Sequence, residues 1–318
     1  MKRSSTPYLW AATILVLLLL LMSWPSRANA QQAQTPVTGH YPGGHVGTRG
    51  GDSPDVGGAY VNFSRIHVAG DLKDASGNTI KHINDTAYAN INVFTYTTDI
   101  KFFGMNYGVL MGVPFNDIYN RPSGQSESAT GFGLGDIVII PFGLYGKAKE
   151  FDYQVGAGVW APSGSFSPGS ASNHGAGFWE AIYSIGGAYY PGGDRRSWCL
   201  SAVARFEQNF KQRGTNINVG DDVVIDYGID KLFIFGGAFK QVLSVGVSGF
   251  ATTQLTRESG ANAAANTSLY HVFGLGPEVK YALPSYGVKV TFRPQWEFAA
   301  SNTSQGATYW LAIGYAIP

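Results

Sequence analysis

Six histidines, His40, His45, His67, His82, His174 and His271, and one cysteine, Cys199, are the side chains best suited to metal binding or nucleophilic chemistry. They are scattered. His40 and His45 are the nearest approach to a ligand pair, and their setting does not match known ligand spacings. No metal and no cofactor is expected. Gly51-Asp52-Ser53 and Asn173-His174-Gly175 would suit a lipid hydrolase. That chemistry needs a serine within hydrogen-bond reach of a histidine that a third group orients. No histidine is tied in sequence to Ser53, and His271 has no evident serine partner. Gly131–Asp136 reads GFGLGD, like a nucleotide loop, but it leads into a strand and offers no helix N-terminus to a phosphate. The expectation is a protein that is not an enzyme, with a barrel-type lipid hydrolase as the lesser alternative.

Another set of charges is ordered. Along Gly287–Phe298, Val288, Val290, Phe292, Pro294, Trp296 and Phe298 alternate with Lys289, Thr291, Arg293, Gln295 and Glu297. Side chains alternate across a strand, so one face is apolar and the other carries both signs of charge. The same alternation puts Asp152, Arg205, Glu207, Asp226, Asp230, Glu278 and Lys280 on polar faces. No ring of one sign appears, which argues against a strongly ion-selective pore. Two compatible roles follow: pairing across an interior to hold the wall, and steering solute along a wetted conduit. Trp160 and Phe250 would be apolar steps in that conduit.

Composition identifies what such strands enclose. Only 14% of residues are Asp, Glu, Lys or Arg, against about 25% in ordinary soluble proteins. Net charge is +1, so nothing points to nucleic acid. Lys2 and Arg3 precede an apolar run to Met22, and Ala28-Asn29-Ala30 follows. This pattern predicts a signal peptide over residues 1–30. With one cysteine, no disulfide framework is expected in the exported chain. Residues 31–56 are rich in Gly, Pro and polar residues without apolar period, which predicts a loosely ordered arm.

From residue 57 to 318 the period-2 pattern recurs. Twelve strands are predicted, at 57–70, 87–103, 106–117, 132–145, 151–162, 178–190, 198–210, 222–233, 241–256, 268–282, 286–299 and 306–317. Long and short connections alternate between them, as in outer-membrane barrels with long outer loops and short periplasmic turns. Every backbone amide in hydrocarbon needs a partner, so only helices or closed barrels can span. The expected fold is therefore all-β: an antiparallel transmembrane barrel of about twelve strands in the outer membrane of a Gram-negative bacterium. The terminal strand must pair with the first. Its inner face, largely Ala and Gly, would leave room in the lumen.

Gly39–Gly44 (GHYPGG), Gly133–Leu144 (GLGDIVIIPFGL) and Val155–Phe166 (VGAGVWAPSGSF), with the terminal aromatic strand, resemble the outer-membrane family called MetA-pathway of phenol degradation. Two departures are a Pro162-Ser163-Gly164 turn where the family has proline-threonine-glycine, and a chain ending in Ile317-Pro318 rather than an aromatic residue. The resemblance implies uptake of apolar or aromatic compounds, with the arm plugging the lumen. The gate candidates are then His40, Tyr41, His45 and Arg49. Expected partners are outer-membrane lipid, small hydrophobic or aromatic solutes, and barrel assembly machinery acting through the last strand. A general small-solute porin is the main alternative.

Overall fold

A computed structural model of the chain describes residues 36–120, 128–129, 131–168, 170, 173–236, 241–263 and 268–317. The expected signal peptide and residues 31–35 of the arm lie outside the described residues. Twelve long strands build the wall. They are β1 (Gly57–Lys73), β2 (Thr79–Phe102), β3 (Met105–Asn120), β4 (Ile137–Lys147), β5 (Phe151–Ala161) and β6 (Glu180–Tyr189). They continue as β7 (Trp198–Asn209), β8 (Asp222–Phe235), β9 (Gln241–Gln254), β10 (His271–Leu283), β11 (Val288–Ser301) and β12 (Ser304–Ile317). Each pairs antiparallel with its neighbours in chain order. The last pairs with the first, from Gly58↔Ile317 to Leu72↔Ser304. The sheet thus closes without an edge. Two-residue strands at Ser128–Ala129 and Gly133–Leu134 pair with the outer half of β3.

Burial follows the predicted alternation. On β12, Tyr309, Leu311, Ile313, Tyr315 and Ile317 are exposed, whereas Thr308 and Trp310 on the alternate positions are fully buried. On β11, Phe292 and Trp296 are each 52% exposed, while Arg293 and Gln295 are buried. Large apolar side chains thus cover the outside and polar ones face inward, the reverse of a soluble sandwich. The inner face of β12 is less empty than its small residues suggest. Trp310 fills the lumen beside Ile91 and Val93, and only Ala312 and Gly314 leave a cavity.

Two boundaries differ from the sequence expectation. The segment expected as an outer loop at 71–86 is mostly strand, and its turn is confined to 74–78. There Asp74 accepts the Ser76 and Asn78 amides, each at 2.8 Å, and Gly77 takes φ 82°. Asp71, Lys73, Lys81, His82, Asn84 and Asp85 leave few apolar residues in this hairpin, so no hydrophobic period marks it. In β4 the ladder begins at Ile137 rather than residue 132, because Gly135 and Asp136 form a loop that contacts other segments.

Part of the outer face is polar. Asn62 and Ser64 lie opposite Ile313 and Leu311 in register, and Asn92 and Asn90 lie opposite them on β2. Asn62 donates to Asn90 Oδ1 at 2.9 Å and Asn92 Oδ1 at 3.0 Å, and Asn90 returns a bond to Asn62 Oδ1 at 3.1 Å. The Tyr60 hydroxyl donates to Asn92 Oδ1 at 2.7 Å. Amides tolerate an apolar setting when they satisfy one another in this way. The inner face behind them is apolar, with Phe63, Ile91, Val93 and Leu110.

Leu311→Arg places a charge at mid-height on the exposed face. It is expected to destabilise the barrel by about 2–4 kcal/mol in lipid vesicles, measured by urea unfolding. An unchanged midpoint would contradict the outward assignment.

Candidate functional site

Residues 36–56 run through the lumen from the outer mouth to the periplasmic end. At the outer end, the Val37 amide donates to Glu258 in the loop between β9 and β10, at 2.5 Å. At the other end, Asp55 accepts Lys147 Nζ at 2.5 Å before the chain enters β1. Between these points the arm forms no regular structure. Its amides would be orphaned in the lumen, where little water competes. The wall supplies carboxylates to meet them.

The contacts form three stations. At the outer station the amides of Gly39, His40 and Tyr41 donate to Asp222 (3.0 Å), Glu180 (2.8 Å) and Glu207 (3.0 Å). The His40 ring bridges Glu180 at 2.7 Å and Asp136 at 2.9 Å, and stacks on Trp160 with centroids 5.4 Å apart. At the middle station Asp226 accepts the Tyr41 hydroxyl (2.7 Å), the Gly44 amide (2.6 Å) and Arg205 (3.0 Å). Arg205 lies over the Tyr41 ring at 4.1 Å. Arg293 donates to the His45 carbonyl at 2.7 Å. At the inner station Thr48 donates to Glu278 through its amide (3.1 Å) and hydroxyl (2.8 Å). Lys280 bonds the Thr48 carbonyl and hydroxyl, and Arg49 Nε contacts both Asp230 oxygens at 2.8 and 2.9 Å. Below this, Gly51 donates to Ser201 and Ser53 to Asp152.

Glycine makes this approach feasible. Gly44 has φ 82°, and an added Cβ would fall 1.9 Å from Gln295 Oε1. Gly47 has φ 61°, and its Cβ would fall 1.8 Å from Arg293 Nη1. A side chain at either position would be strained by the positive φ and would have to push aside the buried Gln295 or Arg293 side chain.

All the sequence-predicted polar residues face the lumen, but most bond the arm or one another. Glu278 pairs with Lys280 at 2.8 Å and Arg293 at 2.9 Å. Asp152 pairs with Arg195 at 2.7 Å. Glu297 contacts His67 and the Gly306 amide near the outer rim. Gln295 bonds Ser248 at 3.3 Å, and Phe250 lies against Gly43 and Gly274. Lys289 is the one cation of this set without an ion pair to a described residue.

Sequence reasoning missed Asp136, Glu180, Asp222, Tyr190 and Tyr270. Asp222 shares the face of Asp226 and Asp230, so extending that alternation back one step finds it. Asp136, Tyr190 and Tyr270 lie outside the strands, where no period applies. The hydrolase segments resolve differently. Ser53 donates to the Gly146 carbonyl at 2.8 Å and meets no histidine. Ser165, which the sequence did not single out, sits 2.8 Å from His174 Nδ1 in an outer loop. His174 Nε2 is held by the Gly131 carbonyl at 2.8 Å, and the His174 and Gly175 amides both bond the Ser165 carbonyl. Those amides tie the loop together and are not free to stabilise an oxyanion.

The lumen also has an apolar stripe. Ile91, Val93 and Trp310, with Phe63, Ala89 and Leu110, form one cluster. Val138, Trp160 and Ile182, with Tyr41, Leu110 and Ile140, form a second. Leu110 belongs to both, so the stripe is continuous from β12 to β6.

The two arm histidines are shifted in opposite directions. Burial alone lowers the His40 pKa, but the bonds to Asp136 and Glu180 outweigh it and raise the value to about 9. Burial holds the His45 pKa well below its usual 6.5, and the neighbouring Arg205, Arg293 and Arg65 lower it further. The raised His40 value favours the docked arm fully below about pH 6.5, and the contribution fades as pH rises towards 9. Protease protection of the arm is therefore expected to decline between pH 7 and 9.5 in the native chain and to stay flat in His40→Gln. An identical decline in both would contradict the assignment. Arg293→Leu strips Glu278 of one partner and the His45 carbonyl of its donor. A loss of about 3 kcal/mol is expected, read as a lower urea midpoint; normal stability with altered solute choice would leave Arg293 a conduit residue only.

Comparison with known proteins supports this architecture. An outer membrane channel from Pseudomonas putida F1 superposes with a TM-score of 0.68 at 12% identity, over 84% of this chain and 97% of that one. The β-domain of the Bordetella autotransporter BrkA gives 0.50 at 12% identity, over 83% and 100%. At these identities the likeness is one of fold. No curated protein matches in sequence. The family described as MetA-pathway of phenol degradation matches residues 69–313, most of the wall. A closed barrel with an apolar outer face, matched to that family over more than half its length, makes this chain an outer-membrane β-barrel of the MetA-pathway of phenol degradation family.

Proposed function

We propose that the barrel passively admits small hydrophobic or aromatic molecules across the outer membrane, with the arm as its gate. The supporting observation is the continuous apolar stripe inside a barrel whose other inner surfaces are charged. Barrel interiors are ordinarily polar, and an apolar band across seven strands offers an apolar solute a surface to rest on as it passes. Tyr41 of the arm lies against the stripe, so displacing the arm would uncover it. Twelve strands enclose a narrower bore than the 16 to 18 of open porins. In this reading the chain performs no chemistry on its solute, and His40, Tyr41, His45 and Arg49 act as the latch. The exposed Tyr309, Leu311, Ile313 and Tyr315 of β12 would present the assembly machinery with the last strand and then face lipid.

Liposomes carrying the protein should admit toluene and phenol faster than a sugar. Equal rates for all three would favour a general porin instead. Deleting residues 31–56 should raise basal conductance in planar bilayers several-fold, because the deletion empties the lumen. Unchanged conductance would remove the arm from the gating scheme.

A further inference from the structure

The periplasmic half of the lumen contains a cavity of about 380 Å³ between the arm, β1 and β8–β12. That volume lies at the small end of ligand pockets, roughly 300–1,000 Å³. Its floor and sides are apolar, including Val46, Val61, Phe63, Val242 and Ala312. Four cations reach it: Arg49, Lys280, Lys289 and Arg293.

The acids beside these cations are fewer. Asp230 takes Arg49 Nε at 2.8 Å, Asp52 lies 3.8 Å from Arg49 Nη1, and Glu278 is shared by Lys280 and Arg293. Three carboxylates serve four cations, and Lys289 is the one left over. It is exposed to the cavity and makes no ion pair with a described residue. Arg293 is 99% buried, and its Nε has no partner among the described residues. An unmatched ammonium and an unmatched guanidinium N–H thus sit beside an apolar pocket. One unit of excess positive charge beside an apolar surface attracts a single negative charge and lets an attached ring settle on that surface.

We propose that this chamber binds the head group of a small organic monoanion, a carboxylate or phenolate, whose ring lies on the apolar wall. Lys289 supplies the counter-charge. The inference extends the channel reading, on which it rests for the route by which a solute reaches the lumen. It adds weak aromatic acids to the solutes held there and gives the periplasmic end a chemical preference that the apolar stripe lacks.

Binding of benzoate, benzyl alcohol and inorganic phosphate to the refolded full chain in detergent, measured by calorimetry, tests the chamber. Benzyl alcohol has the ring without the charge, and phosphate the charge without the ring. Benzoate is expected to bind at least about tenfold tighter than either. Lys289→Met should abolish that preference and Lys289→Arg should restore it, with folding of each variant checked by thermal denaturation. Equal binding of benzoate and benzyl alcohol would overturn the proposal. So would phosphate binding as tight as benzoate, or a preference that survives Lys289→Met. Toluene uptake by wild-type liposomes is read in parallel. Uptake without any benzoate preference removes the chamber alone, whereas absent uptake removes the channel reading on which it rests.

Discussion

Carboxylates inside a narrow barrel must find partners, and that requirement organises the lumen. Glu180, Glu207, Asp222, Asp226, Asp230 and Glu278 are all buried on the inner faces of β6, β7, β8 and β10. Unpaired, each would be a charge removed from water at a cost of several kcal/mol. Wall cations answer only some of them. The remainder are met by the amides of an irregular arm, whose own donors have no regular partner. Two sets of unsatisfied groups thus resolve each other. The arm carries glycines because its backbone must come close to the wall.

The same pairing divides the interior. Acidic and basic side chains hold the arm against the wall, while an apolar band crosses the inner face from β12 round to β6. The amide cluster of Asn62, Asn90 and Asn92 on the outside of this segment reverses the usual polarity of a barrel wall. A solute following the stripe would encounter a latch made of hydrogen bonds to charged acceptors. Such bonds are strong singly, about 1.5–3 kcal/mol each, yet they exchange with water when the arm moves, so opening the lumen need not disturb the wall.

Much of the wall was legible in the chain. Val288 to Phe298 and Tyr309 to Ile317 announced their faces by period alone, because lipid selects large apolar residues on one side. The inward set from Asp152 to Glu297 followed from the same alternation. What the set contacts did not follow. Asp226 meets Tyr41 and Gly44 across most of the chain's length, and no local pattern encodes a backbone amide as the partner of a distant acid. The hairpin of β1 and β2 was underestimated where it leaves the membrane, since polar residues on both faces erase the period. Asp136 and Tyr190 act from loops, where spacing carries no directional information. The reading of the arm as loosely ordered reflected its lack of regular structure, but its many side-chain-to-backbone bonds lie beyond sequence pattern.

The claim on which the account turns is that the lumen opens only when the arm leaves the wall. Thr48 and Ser244 both reach Asp230 Oδ2, at 3.2 and 2.5 Å, from the arm and from β9. Cysteines at both positions, with the bond between them verified by mass spectrometry, would tie the arm to the wall on oxidation and free it on reduction. Toluene uptake by liposomes is predicted to stop in the oxidised protein and return on reduction. Equal uptake in both states would contradict the account.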